Sequence, residues 1–471
     1  MTPLQEHCLA VTRRHFFRNC GVGLGKVALA GLLTDALTRR VSAAPANPFP
    51  IKPPHFAPKA KRVIHMFMAG APSQLELFDH KPKLAELEGK PIPPEVIGGQ
   101  RYAFIRSDAA VLGPRFKFAK HGQCGAELGE TLPHLAKIVD DIAIVKSMRT
   151  DQFNHAPAQI FFNTGFGQPG RPSMGSWVLY GLGAETSDLP AFVVMSTGSG
   201  ISGGSACWSS GVLPGVYTGV RFRNQGDPIL NVSSPPGADA QLQRDSLDLI
   251  GSLNQRRLAL DGDPEIATRI AAYEMAFRLQ TSAPDLMDLR GESKATLDLY
   301  GCDPTKPSFA RSCLLARRMV ERGVRFINIY NEGWDAHSDV AGNVKGNCAK
   351  TDQASAALVI DLKQRGLLDD TLVVFLTEFG RTPKINKGGG RDHWGACGSI
   401  FFTGAGTKVG QVVGASDKQA AYPTTKHFGP ADIAATIYHS LGIDQESRVA
   451  NKEGRPMFVL DHGHVIEEVV S

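Results

Sequence analysis

Five short apolar runs recur along the chain, each bounded by charged residues, glycine or proline. They are Arg62–Gly70, Asp141–Lys146, Ala191–Met195, Val324–Tyr330 and Thr371–Leu376. Each run is almost continuously apolar rather than alternating, which is typical of a strand whose two faces are both buried in a parallel sheet. Apolar residues at helical spacing follow in the segments Pro307–Arg322 and Cys348–Arg365. The pattern predicts an α/β fold with a mostly parallel central sheet and helices on both faces.

Two stretches interrupt this pattern. Residues 196–226 are rich in glycine and serine and predict loops with short strands. Residues 239–299 are polar and helical, with one apolar stripe formed by Ile266, Ile270, Tyr273, Met275 and Leu279. We interpret the region at about 196–305 as an insertion over the sheet of a single domain spanning residues 61–465.

The first 43 residues have the layout of an export signal. Arg13 and Arg14 precede Phe16 and Phe17, an apolar stretch runs from position 21 to 33, and small residues follow at positions 42–46. The arginine pair predicts transport by the twin-arginine translocase, and hence a periplasmic or secreted protein. The apolar stretch is shorter than the twenty or so residues that a stable membrane span needs. Residues 44–60 contain six prolines and predict an extended linker.

Charge and cysteine content remove two classes of function. Six of the 51 basic and two of the 46 acidic residues lie in the first 43 positions, so the rest of the chain has a net charge near +1. Without a basic excess, a nucleic-acid partner is not expected. The six cysteines beyond the signal form no Cys-x-x-Cys pair, which argues against a structural zinc site, while their disulfide pairing stays open.

Ionisable side chains are concentrated directly after the predicted strands. They are Asp335, His337 and Asp339 after the fourth strand, Glu378 and Arg381 after the fifth, and Arg391, Asp392 and His393 after a glycine-rich loop. Because ligands bind at the carboxyl ends of parallel strands, these groups predict one polar site. Carboxylates with imidazoles suit a divalent metal, with zinc, manganese, calcium and iron left open. The alternative is structural, with Glu378 and Arg381 forming an internal ion pair and Asp392 and His393 a hydrogen-bonded loop.

Several motifs between Val63 and the C-terminal region carry a resemblance to a known family. They are Gly70-Ala-Pro-Ser73, Phe78-Asp79-His-Lys-Pro82, Arg171-Pro-Ser-Met-Gly-Ser-Trp177, Gly333-Trp-Asp-Ala-His337, Glu378-Phe-Gly-Arg-Thr-Pro383 and Gly390-Arg-Asp-His393. The chain resembles the alkaline phosphatase and sulfatase superfamily, and is more closely similar to the bacterial DUF1501 family, whose function is unknown and whose members are often described as sulfatase-like. The resemblance implies an alkaline phosphatase-like fold more strongly than it implies the chemistry.

The nucleophile motif of sulfatases is only partly matched. That motif runs Cys-x-Pro-Ser-Arg and, four residues later, Thr-Gly, whereas this chain has His155-Ala-Pro-Ala-Gln159 and then Thr164-Gly165. His155 therefore stands at the nucleophile position, and Gly70 and Ala71 stand where the superfamily has metal-binding aspartates. His155 could act as a nucleophile, a general acid or base, or a metal ligand, or simply be a hydrogen-bonded residue at a helix start.

The resemblance and the residues together define a candidate site. The expected catalytic residues are His155 and Arg381; the metal ligands are Asp335, His337, Glu378, Asp392 and His393; and the substrate contacts are Ser73, Asn154, Gln159 and Arg391. The leading hypothesis is an exported, metal-dependent hydrolase of a sulfate or phosphate ester, either a small molecule or a polysaccharide. The alternative is an inactive relative that binds a glycan or a cell-envelope partner.

Overall fold

The structure is a computed structural model and describes residues 49–471 except 92, 95–109, 199, 225, 230–238, 387 and 452–453. The predicted export signal and the first five residues of the predicted linker, 44–48, lie outside the described residues. No helix among the described residues is both long enough and apolar enough to cross a membrane.

The strands, numbered in chain order, are short. They are β1 (Arg62–Met68), β2 (Phe118–His121), β3 (Ala126–Gly129), β4 (Ala143–Met148), β5 (Phe192–Ser196), β6 (Val220–Phe222), β7 (Phe326–Asn331), β8 (Thr371–Leu376), β9 (Gly380–Arg381), β10 (His393–Trp394), β11 (Gly398–Thr403), β12 (Gln411–Val413), β13 (Arg448–Ala450) and β14 (Pro456–Phe458).

Eight of these strands form the central sheet, in the order β12-β4-β11-β8-β1-β7-β5-β6. All of them run parallel to one another except β11, which is antiparallel to both of its neighbours. The five predicted strands are β1, β4, β5, β7 and β8, and the predicted fold class is confirmed. Strand β11 was missed because its sequence, Gly-Ser-Ile-Phe-Phe-Thr, follows a loop and not a helix.

Helices cover both faces of the sheet. They are α1 (Gln74–Leu77), α2 (Pro82–Glu86), α3 (His155–Thr164), α4 (Met174–Leu182), α5 (Ala240–Asp261), α6 (Pro264–Met287), α7 (Lys294–Tyr300), α8 (Phe309–Glu321), α9 (Val340–Gln364) and α10 (Pro430–Ser440). Side chains of α8 and α9 pack in one apolar core with Ile64 and Met66 of β1. Side chains of α3, α4 and α10 pack in a second core with Val63 and Phe67 of the same strand. The two cores explain why β1 is apolar at consecutive positions.

The region between residues 196 and 305 contributes both to the sheet and to its surroundings. Strand β6 extends the sheet at the edge next to β5. Helices α5 and α6 follow one another through a single short turn, and Arg244 of α5 pairs with Glu274 of α6 at 2.6 Å. Asp239 and Asp263 cap the two helices by accepting backbone N–H groups.

Candidate metal centre

The predicted site residues are brought together at the carboxyl ends of three parallel strands. Asp335 and His337 follow β7, Glu378 follows β8, and His155 begins helix α3 after β4. His393 comes from β10, where it pairs with Arg381 of β9 in a short antiparallel ladder. Residues from distant parts of the sequence therefore meet above one edge of the sheet, as expected for an open parallel sheet.

Glycine at position 70 allows the loops at this edge to pack closely. Its φ of +107° lies in the region that favours glycine, and a Cβ there would come within 2.6 Å of the backbone nitrogen of Asp335. Its N–H donates to Oε1 of Glu378 at 2.8 Å. The glycine thus lets the loop after β7 pack against the loop after β1, which its N–H ties to Glu378.

Three imidazoles converge on the carboxylate of Asp335. Nε2 of His155 lies 3.2 Å from Oδ2, while Nε2 of His337 and Nε2 of His393 lie 3.1 and 3.3 Å from Oδ1. His155, Asp335 and His393 each present one ligand atom, and these atoms all lie within 4.8 Å of one another. His337 adjoins this set, with its Nε2 only 3.0 Å from Nε2 of His393.

Each histidine is oriented by an acceptor behind its other nitrogen. Nδ1 of His155 contacts Oε1 of Glu378 at 2.7 Å, and Nδ1 of His337 contacts Oδ1 of Asp392 at 2.8 Å. Nδ1 of His393 donates to the backbone carbonyl of Phe153 at 2.8 Å. An acceptor on Nδ1 leaves Nε2 to bind a metal, which is the arrangement found around metal-ligating histidines.

Glu378 and Asp392 therefore differ from the expectation that they are ligands themselves. Glu378 is fully buried, and its Oε1 accepts from Gly70, His155 and Gln159. Asp392 accepts from His337 and from the side-chain amide of Asn386. The structure places both carboxylates behind histidines, where they orient the imidazoles.

The charges around Asp335 shift several pKa values in the metal-free protein. Burial alone would lower the pKa of His155, but contacts with Asp335 and Glu378 outweigh it and raise that pKa to about 9. Hydrogen bonds to Asp335 and Asp392 raise the pKa of His337 to about 9. Burial lowers the pKa of His393. Burial would raise the pKa of Asp335, but the three histidines and Arg381 hold it well below its usual range.

The donor set fits a divalent transition metal. Nε2 of His155 is buried and has no well-directed hydrogen bond, although it lies near Asp335. Nε2 of His337 lies against Nε2 of His393. In neutral rings whose Nδ1 atoms carry the proton, both of these Nε2 atoms are acceptors and cannot hydrogen-bond to each other. A cation would satisfy all three atoms. Two or three imidazoles with one carboxylate favour zinc, manganese or iron, and make calcium, which prefers oxygen ligands, a poor fit.

Arg381 is placed at the site, but as a buried support. Its side chain is fully buried and donates to Oδ1 of Asp335 at 2.6 Å. It also donates to the backbone carbonyls of Gly70, Ala71 and Arg391. These bonds fix Asp335 against the loop after β1, so we assign Arg381 a positioning role.

The structure does not bring the proposed substrate contacts together in one place. Arg391 is fully buried and pairs with Glu76 at 2.8 Å, so its guanidinium is not available to a substrate. Gln159 bridges Glu378 and the backbone N–H of Gly203. Ser73 is buried at the start of α1, and Asn154, at the start of α3, is exposed.

Two contributors to the site were not expected from the sequence. Phe379 stacks on the ring of His155 at a centroid distance of 5.1 Å and also lies 4.8 Å from the ring of His393. Asn386 donates to the carbonyl of His337 and to Asp392, and so ties the glycine-rich loop to the site. Phe379 lies inside one of the motifs and Asn386 lies between two of them, but their apolar or uncharged side chains gave no chemical signal.

The fold and this centre define a mostly parallel α/β protein with a histidine–carboxylate cluster at the carboxyl edge of its sheet. The family described as "Protein of unknown function (DUF1501)" matches residues 60–470, and the chain belongs to it. No curated protein matches the chain.

Three solved structures illustrate the structural similarity. The phosphonate monoester hydrolase of Agrobacterium radiobacter is 12% identical, covering 88% of this chain and 77% of its own, with a TM-score of 0.37. The PsFucS1 sulfatase from Pseudoalteromonas sp. is 13% identical, covering 90% and 72%, with a TM-score of 0.35. The alkaline phosphatase of the Antarctic bacterium TAB5 is 11% identical, covering 84% and 100%, with a TM-score of 0.32.

Proposed function

We propose that this protein is a metal-dependent hydrolase of phosphate or sulfate esters. The observation that carries the proposal is the convergence of His155, Asp335 and His393 within 4.8 Å, with His337 beside them. A pure binding protein has no need of so many coupled ionisable groups in one partly open site. The ester class follows from the family resemblance.

The surroundings of His155 favour water as the nucleophile. Its Nδ1 is held by Glu378 and its Nε2 faces Asp335, so neither nitrogen is directed at an incoming ester. A divalent cation in this centre would lower the pKa of a bound water and polarise a phosphoryl or sulfuryl oxygen. Water adds to phosphorus or sulfur, the bond to the ester oxygen breaks, and the alcohol leaves with the proton that the water loses.

The ligand atoms lie where they could serve this reaction. The side chains of Asp335 and His337 are about 40% exposed, whereas those of His155 and His393 are at most 15% exposed. A substrate would therefore approach from the side of Asp335 and His337. His337, oriented by Asp392, is the most exposed of the imidazoles that would hold the metal.

Metal content and activity together test the proposal. The purified protein is analysed for bound metals, stripped with a chelator, and reloaded separately with zinc, manganese and iron. Each form is assayed with aryl phosphate, aryl phosphonate and aryl sulfate esters. We expect a stoichiometric metal and an ester hydrolysis that is lost on stripping and restored by one of the three metals.

A second candidate function has its own supporting observation. The nucleophile position of the sulfatase motif holds His155, and the arginine position holds Gln159, whose amide is engaged by Glu378 and Gly203. These replacements favour an inactive relative that binds a glycan or a cell-envelope partner. A metal-free protein that is inert toward all three esters yet retained by immobilised polysaccharide would establish this alternative and overturn the first.

Export through the twin-arginine route is also part of the proposal. Arg13 and Arg14 carry it, since paired arginines before an apolar stretch are the signal that this translocase recognises. Changing both to lysine should leave the protein in the cytoplasm, whereas changing Arg39 and Arg40 to lysine, beyond the apolar stretch, should not. Cell fractionation measures the difference, and equal periplasmic amounts of both variants would contradict it.

A further inference from the structure

A groove with apolar walls lies at the amino ends of β5 and β6, the opposite edge of the sheet from the metal centre. It has a volume of about 350 Å³ and is open on one side. Helix α6 forms one wall, and the chain around the starts of the two strands forms the other. Its described lining contains no charged side chain and includes Met275, Phe192, Val220 and Ile229. We call this feature the apolar groove.

The sequence of α6 leaves the apolar groove open. Toward the sheet the helix presents the small side chains of Ala271, Ala272 and Ala276. The packed helix α8 instead fills the equivalent space with buried leucines, Leu314 and Leu315. Water in the apolar groove gains few hydrogen bonds from its walls. A concave apolar site of this size is therefore suited to an apolar ligand.

The groove is elongated along the helix. The α6 residues that line it run from Ala271 to Leu279, which is about 12 Å at 1.5 Å per residue. A ligand that fills the groove therefore lies lengthwise along α6. An extended hydrocarbon chain has this shape.

A polar cavity lies directly beyond one end of the apolar groove. Along α6 the lining changes from Leu279 to Ser282, one turn later. Along the segment before β5 it changes from Pro190 to Asp188. This polar cavity has a volume of about 370 Å³ and is also open on one side. An apolar groove that leads to a polar cavity matches a ligand with an apolar chain and a polar head group.

The side chains of the polar cavity indicate the chemistry of the head group. Arg322 donates from Nη2 to Asp285 at 2.6 Å, and its Nη1 has no hydrogen-bond partner within the protein. Asp188 and Asp285 are exposed carboxylates, which can only accept hydrogen bonds. Two carboxylates beside one guanidinium disfavour an anionic head group. Hydroxyl groups fit both partners, because they donate to a carboxylate and accept from a guanidinium.

We propose that this site binds a lipid with one acyl chain and a neutral, hydroxylated head group, of the monoacylglycerol type. The acyl chain lies in the apolar groove along α6. The hydroxyl groups lie in the polar cavity with Arg322 and Asp285. Because the site is at the amino ends of the strands, binding is independent of the metal centre and of its chemistry.

Isothermal titration calorimetry of the purified protein with monodecanoylglycerol, below the concentration at which it forms micelles, tests the proposal. We expect one lipid per protein. Monooctanoylglycerol should bind about tenfold more weakly, because two buried methylene groups are lost. Absence of binding would overturn the proposal, and so would equal affinity for the two lipids.

Filling the groove tests its location. Ala272→Phe places a ring in the groove and should weaken binding of monodecanoylglycerol at least about tenfold. The matched control is Ala267→Phe, at an exposed position of the same helix outside the groove lining, and its affinity should be unchanged. Thermal unfolding shows that both variants are folded. Equal affinities in the two variants would place the lipid elsewhere and overturn the proposal.

The head group is tested with decanoate, which has a similar chain and a carboxylate. Decanoate should bind at least about tenfold more weakly than monodecanoylglycerol, because its charge faces Asp188 and Asp285. The double variant Asp188→Asn with Asp285→Asn should remove most of this difference. Tighter binding of decanoate by the unaltered protein would overturn the assignment of a neutral head group.

Discussion

The candidate metal centre has a buried half and an open half, each built from one histidine and one carboxylate, that differ in their surroundings. In the buried half, His155 is backed by Glu378, whose side chain has no exposed surface. In the open half, His337 is backed by Asp392, and the side chain of His337 is 40% exposed. The same carboxylate–histidine pair thus occurs once inside the protein and once at its surface.

The carboxylate of the buried half stabilises the fold as well as orienting a histidine, whereas the carboxylate of the open half mainly orients a histidine. Glu378 accepts three hydrogen bonds that join the loop after β1 to helix α3. Asp392 joins only a surface loop to His337. We therefore expect changes in the buried half to reduce both stability and metal affinity, and changes in the open half to reduce metal affinity alone.

Asp335 belongs to both halves, and its loss should have the largest effect. Asp335→Ala removes the carboxylate on which the three imidazoles converge, so we expect no stoichiometric metal and hydrolysis reduced at least about a thousandfold, equivalent to 4 kcal/mol at about 1.4 kcal/mol per tenfold. Elemental analysis and the ester assay measure these losses.

A matched control lies four residues further along the chain. Asp339 caps helix α9 by accepting from the N–H of Gly342, and asparagine can cap in the same way. Asp339→Asn should keep both metal and activity. If Asp335→Ala retained the metal, the imidazoles would not bind it together with this carboxylate.

Glu378→Ala should be the next most damaging change. It leaves the N–H of Gly70, the amide of Gln159 and the ring of His155 without their acceptor inside the protein, at about 1–3 kcal/mol for each buried unsatisfied group. We expect the free energy of unfolding to fall by roughly 3 kcal/mol or more, together with metal affinity. Urea unfolding and metal titration measure the two.

The conservative variant Glu378→Gln separates the causes. Its amide oxygen can still accept at the position of Oε1, so much of the stability should return. Metal affinity should stay low because the negative charge behind His155 is gone. An alanine variant as stable as the unaltered protein would remove the distinction between the halves.

Asp392→Ala should reduce metal affinity and little else. Removing the acceptor behind a ligating histidine typically costs about 10–100-fold in metal affinity. Since water reaches the ring of His337, we expect the free energy of unfolding to change by less than about 1 kcal/mol. Metal titration and urea unfolding check this, and a stability loss equal to that of Glu378→Ala would contradict it.

The sequence alone indicated the sheet and the residues of the site, but not the separate role of each residue. Continuous apolar runs sufficed for β1 and β8 because both of their faces are buried. In an extended segment, the side chains of Asp335, His337 and Asp339 would all point the same way. Instead, Asp339 has a φ of +40° and begins α9 at Val340, eight residues before the predicted start.

The roles of the two arginines also depended on tertiary contacts. From the sequence, Arg381 was expected to be catalytic and Arg391 to contact the substrate. Arg391 is instead paired with Glu76, whose position more than three hundred residues away left no local signal. Similarly, nothing local indicates that Glu378 and Asp392 lie behind Nδ1 atoms and not beside the ligand atoms.

The smallest expected effect is on the pH dependence of stability, and it distinguishes the halves by titration. In the metal-free protein, the pKa values of His155 and His337 are raised to about 9, from an ordinary value of about 6.5. A raised pKa means that the folded state favours the protonated form, so this stabilisation is complete below about pH 6.5 and is lost as the pH rises through 9. We expect the unfolding temperature in chelator to fall by a few degrees over this range.

His155→Gln should flatten the curve more than His337→Gln, because water screens the exposed ring. Saturating zinc should abolish the dependence, since metal-bound imidazoles carry no such proton. Calorimetry at constant ionic strength measures the curves, and a metal-free protein whose unfolding temperature rises between pH 6.5 and 9 would show that the carboxylates do not hold protons on these histidines.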